Sequence, residues 1–136
     1  MLHLKIHPRL CVWLHDKTLY NFTYLNGNPF TDSMKIIDSI KKAPQPVTGI
    51  IIEKPFLCLS GNVKNTLLVR DICTILQWHF PSHELIDSIT ARQGIIYGKE
   101  QQITEAQALT QNHDHSPIEL LCIHDCLVLK KYHDGR

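Results

Sequence analysis

The stretch "VTGIIIEKPF", Val47 to Phe56, decides how the rest of this sequence is read. Its three consecutive isoleucines, without polar alternation, predict a strand covered on both faces over Val47–Glu53. The run then ends on a carboxylate, Glu53, with Pro55 two residues later. In open α/β sheets, ligands bind beyond the carboxyl ends of strands, so an acid placed there points toward the usual site.

Working outward, the chain before this strand carries three short strand patterns. They are "LHLKI" (Leu2 to Ile6), "LCVWLH" (Leu10 to His15) and "TLYNFTYL" (Thr18 to Leu25). The connections "HPR" and "DK" are short enough for antiparallel hairpins, and "NGNP" (Asn26 to Pro29) closes the group with a turn. A helix is expected from an Asp32 N-cap to Lys42, with Met34, Ile37 and Ile40 spaced by three. "APQP" stops it.

Beyond the central strand, Leu67, Leu68, Ile72, Ile75 and Leu76 form a broad stripe that predicts a helix over Asn62–His79. Glu84 to Ile86 is a further short strand. The segment Asp87–Gln102 gives no clear period, although Gly94, Gly98 and Lys99 suggest a loop with polar work to do. Ile103–Gln111 is helix-prone, and a final helix over Pro117–His133 starts with proline at its first turn behind a Ser116 cap. The order of strands and helices predicts one α/β domain over residues 1–136, a mixed sheet with helices packed on both faces.

Composition sets the outer bounds. The 136 residues are 43% apolar and 20% charged, with a formal net charge of +1 when the nine histidines are neutral. This is a globular composition without the strong basic excess of many nucleic-acid binders. No leader peptide or membrane span is expected, and the five cysteines lie mainly in apolar segments, as buried reduced thiols of a cytoplasmic protein do. Cys58 has no paired base in the sequence, and "HDH" (His113 to His115) with Cys122 and Cys126 fits no common zinc spacing.

Two acids occupy positions that apolar residues would normally fill. One is Glu53. The other is Asp125, within the final helix's stripe of Ile118, Leu121, Cys122, Val128, Leu129 and Tyr132. An ionised carboxylate there is expensive unless a cation meets it. A salt bridge or local cap accounts for either acid singly, whereas two in separate elements favour a shared cation. Their oxygen donors suit magnesium or manganese.

"IIIEKPF", "GNVKNTLLVRDICTIL" and "IHDCLVL" together resemble the RuvC-type Holliday-junction resolvases, nucleases of the RNase H-like fold. The resemblance spans nearly the whole chain. It implies a structure-specific endodeoxyribonuclease that binds branched DNA, acts as a homodimer and cleaves phosphodiesters with Mg2+ or Mn2+. Glu53 matches the family's strand-end glutamate, Phe56 its stacking aromatic and Asp125 its last acid. "ARQGIIYGKEQ" resembles the polar loop and basic residue before the final helices. Lys54, Lys64, Arg92 and Lys99 are the candidate phosphate contacts; Arg70 reads as solvated surface.

The resemblance breaks at the first strand, where "IHPR" places His7 in the position of a metal-bridging aspartate. Cys122 falls where the family has an acid or histidine one turn before Asp125. The implied ligand set is Glu53 and Asp125 with His7 as third. An imidazole cannot bridge two cations about 4 Å apart, which leaves His7 three roles: single-metal ligand, general base, or structural cap of the turn before Pro8. In the last case the chain is a catalytically inactive nucleic-acid-binding or protein-interaction module derived from a nuclease. A related short RNA-processing nuclease fold is the weaker match, because of the glutamate at the end of the central strand.

Overall fold

The structure, a computed structural model, describes residues 1–15, 20–56, 61–110 and 114–135. Five strands form one sheet in the order β3-β2-β1-β4-β5. They are β1 (Leu2–Ile6), β2 (Leu10–His15), β3 (Asn21–Tyr24), β4 (Ile50–Glu53) and β5 (His83–Ile86). β1, β2 and β3 are antiparallel neighbours, and β4 and β5 add on in parallel to β1. Each parallel step needs a crossover. Helix α1 (Pro29–Lys41) supplies the first and α2 (Val63–His79) the second.

Isoleucines 50, 51 and 52 are all fully buried because both faces of β4 are covered. Toward one face, Ile50 and Ile52 join Leu2, Leu4 and Ile6 of β1 against Ile36, Ile37 and Ile40 of α1 and Leu68, Ile72 and Leu76 of α2. Toward the other, Ile51 meets Val128 and Leu129 of α5 (Pro117–Asp134). Each such side chain contributes up to about 1.5–3 kcal/mol by leaving water.

The same helix covers the antiparallel half of the sheet, where Leu10 and Val12 pack on Leu120, Ile123 and Cys126. α5 therefore crosses the back of β2, β1 and β4. The short α3 (Ser88–Arg92) and α4 (Lys99–Thr110) flank it.

Three local expectations change. The N-cap of α1 is Asn28, whose side chain accepts from the Phe30 and Thr31 N–H groups, with Pro29 at the first helical position. Asp32 is buried instead, and its carboxylate accepts from the Asn26 and Gly27 N–H groups at 2.8 and 2.9 Å. It thereby ties the helix to the preceding turn, where Gly27 has a positive φ of 100°. Met34 is exposed, and Ile36 takes its place in the buried stripe. The aperiodic segment after β5 holds α3, capped by Asp87, and Lys99 is the first residue of α4, not part of a loop.

Candidate functional site

The site forms where the α5-facing side of β1 meets the carboxyl end of β4. In β1 the even residues point to α1 and α2, so His3 and Lys5 share the opposite side, and His7 follows them in step. β1 and β4 run parallel with Leu4 beside Ile52. One residue further along, Lys5 lies beside Glu53.

Lys5 Nζ is 2.5 Å from Glu53 Oε2 and 3.6 Å from Asp125 Oδ2. The Glu53 side chain is 6% exposed and that of Asp125 15%. The two acids suspected in the sequence thus converge, from β4 and α5, on one cation supplied by β1. A second cation completes the group: Arg92 Nη2 of α3 donates to Asp125 Oδ1 at 3.1 Å.

Two formal positive charges face two negative ones, so the network is close to neutral. Burial works against the Lys5 ammonium, yet Glu53 and Asp125 outweigh it and raise the pKa above the ordinary lysine value. Lys5 is therefore charged at neutral pH. Burial pushes the Glu53 carboxyl up, against the pull of Lys5, and the nearby Asp125 charge pushes in the same upward direction.

Around this group the remaining donors are poor metal ligands. Burial pushes the Cys122 thiol up to about 12, so it is a neutral S–H. His7 Nδ1 accepts from the Arg9 N–H at 3.1 Å, within a turn whose backbone is closed by the Leu10 N–H to His7 carbonyl bond. Burial, then the charges of Lys5 and Arg9, lower the His7 pKa, so the ring is neutral with its proton on Nε2. Neither ring nitrogen then offers a free lone pair. Glu119 and His124 are engaged elsewhere, Glu119 with His115 at 2.9 Å and His124 with Glu105 at 2.5 Å.

As arranged, these side chains do not fit a two-metal centre. An ammonium occupies the place between the two carboxylates, and the third and fourth donors are an engaged imidazole and a protonated thiol.

The candidate nucleic-acid residues divide into two groups. Lys54 and Phe56 line a cleft of about 320 Å3 with Pro55, Asp87, Ser88 and Ile89. Arg92 lines an adjoining cleft of about 280 Å3 with Ile89, Ile95, Ile96 and Tyr97. Phe56 is 82% exposed, so it is no core phenylalanine. Lys64, in the first turn of α2, and Lys99 are exposed and line neither cleft.

Lys5 is the residue that sequence reading missed. Its signal was the "HLKIH" alternation, which sets His3, Lys5 and His7 on one side of a strand otherwise apolar. Cys58 and His113 lie outside the described residues.

No family model and no curated protein matches this chain. Among solved structures, the RuvC structure of Thermus thermophilus superposes with a TM-score of 0.52, covering 98% of this chain and 97% of that one at 7% identity. The chain is thus similar in fold to RuvC, with the mixed sheet flanked by helices of the RNase H-like class. At that identity the likeness extends to the fold alone. No helix among the described residues is long and apolar enough to cross a membrane.

Proposed function

We propose that this chain is a RuvC-like domain that binds branched DNA without cutting it, Lys5 having taken the place of a divalent cation between Glu53 and Asp125. The observation that carries this reading is the Lys5 ammonium, within 2.5 and 3.6 Å of two carboxylates from different elements. An internal lysine neutralises the acids at all times, whereas a metal does so only when bound. It supplies no bound water for attack on phosphorus.

The binding surface in this reading is the pair of clefts beyond β4 and β5. Phe56 stacks on an unpaired base at the crossover, and Lys54 and Arg92 contact the flanking phosphates. Lys64 and Lys99 extend the contact on either side. A homodimer in the cytoplasm matches the two-fold symmetry of a four-way junction.

A second reading keeps the enzyme. In it Glu53, Asp125 and His7 hold Mg2+ or Mn2+, and the chain is a structure-specific endonuclease. The convergence of Glu53 and Asp125 favours it; the obstacles are Lys5, which would have to swing out, and His7, which would have to release the Arg9 N–H.

One experiment separates the two. A labelled synthetic four-way junction is incubated with the protein at low salt, first with EDTA and then with Mn2+. Retardation in both conditions with no nicked product supports the binder, and the affinity should fall steeply with salt. Nicks that need Mn2+ and vanish in Glu53→Gln support the enzyme. Absence of retardation at low salt would turn the reading toward a protein-interaction module.

A further inference from the structure

At the far end of the interface between β1 and α5, a second cluster of ligating side chains has no part in the proposed DNA site. His3 of β1 and His133 and Asp134 of α5 bring one donor atom each to within 4.8 Å of one another. It is the one such group among the described residues. We propose that His3, His133 and Asp134 form a binding site for a first-row transition-metal dication of the zinc type, which clamps β1 to the last turn of α5.

The donor spacing fits. His3 Nε2 and His133 Nδ1 face each other at 3.1 Å, with ring centroids 5.1 Å apart. Two nitrogens each about 2.0–2.1 Å from a zinc ion stand roughly 3.0–3.4 Å apart, so the rings already have the separation that a shared ion imposes. Asp134 Oδ1 is 3.8 Å from His133 Nδ1, and its exposed side chain needs only a small movement to close the third bond. Lys130 holds the other oxygen, Oδ2, at 2.5 Å. That leaves Oδ1 for the ion and orients the carboxylate, as outer-shell partners of metal ligands do. The lysine also brings a positive charge, which weakens the site without blocking it.

The second observation is the state of His3. The residue is 2% exposed, and its neighbours across the sheet are Leu14 and Ile51. Its Nδ1 has no hydrogen-bond partner among the described residues. A buried imidazole with one orphan nitrogen and the other aimed at a second imidazole is poorly served by hydrogen bonding alone. Proton on Nδ1 and lone pair on Nε2 is the tautomer a metal requires, and no partner opposes it. Two imidazoles and one carboxylate, with a position left for water, suit zinc, cobalt or nickel better than magnesium.

The test uses the whole chain and zinc or cobalt alone. Calorimetric titration with Zn2+ should give one tight equivalent, and Co2+ should give the visible absorption bands of a low-coordinate histidine site. A roughly 100-fold excess of zinc over its dissociation constant should raise Tm by about 5–10 °C, because the ion binds only the folded chain. His133→Ala and Asp134→Asn, both at the solvent side, should fold normally, the first weakening zinc by at least about 100-fold and the second less. Failure of the wild type to take up one equivalent would overturn the proposal. So would an equivalent that binds with unchanged affinity in His133→Ala, since other histidines would then hold it.

Discussion

The two faces of β1 are built on different principles. Leu2, Leu4 and Ile6 point into the apolar cluster made with α1 and α2. His3, Lys5 and His7 sit on the side crossed by α5, where their partners are His133, Glu53 with Asp125, and the Arg9 N–H. Both faces are covered by helices, but only the first is held mainly by exclusion of water. The second is assembled from charges and ring nitrogens that must each be matched, because a buried charge left without its partner is costly.

The comparison can be broken from either side. The largest effect is expected on the apolar face: Leu4→Ala, at a fully buried position, should cost about 4 kcal/mol in urea unfolding. On the polar face, Lys5→Met should cost about 3 kcal/mol, because Glu53 is left as an unpaired buried charge. Adding Glu53→Gln to Lys5→Met should recover much of that loss. If the double variant is as unstable as the single one, the charge matching described above is not what Lys5 provides.

Smaller effects sharpen the contrast. Arg92→Ala removes the more exposed partner of Asp125, and a loss of about 1 kcal/mol is expected by the same measurement. Lys64→Ala should leave stability within about 0.5 kcal/mol of the parent. If Lys64 contacts a phosphate, the same change should lower the salt slope of junction binding by about 1.

How much of this was legible depends on the range of each interaction. The isoleucine run announced β4 because burial on both faces leaves its mark in consecutive residues. Ser116 before Pro117 announced α5, and Asn62 opened α2 within a residue of the expected start. α3 was not legible, since five residues give no helical period to detect and its cap, Asp87, looks like any loop aspartate. At the start of α1, Asn28 and Asp32 are both short polar residues able to cap; which one does depended on where the Asn26 and Gly27 N–H groups would lie.

The site was half legible for a similar reason. An acid at a strand end and another on an apolar stripe each stood out against their neighbours. Lys5 did not, because one lysine in a five-residue strand reads as a solvent-facing position. Its partners are 48 and 120 residues away, and only the parallel register of β1 and β4 brings the first of them alongside. The cation demanded by the two acids was inferred as a metal because nothing local offered itself.

Manganese binding followed by electron paramagnetic resonance tests this most directly, with the parent chain, Lys5→Ala and Glu53→Gln titrated in parallel. If an amine already fills the gap that joins the strand-end glutamate to the helix aspartate, the parent should show no ion whose uptake depends on residue 53, and truncating residue 5 should create one. A parent chain that takes up manganese with its lysine intact, and loses it in Glu53→Gln, would contradict that substitution of ammonium for metal.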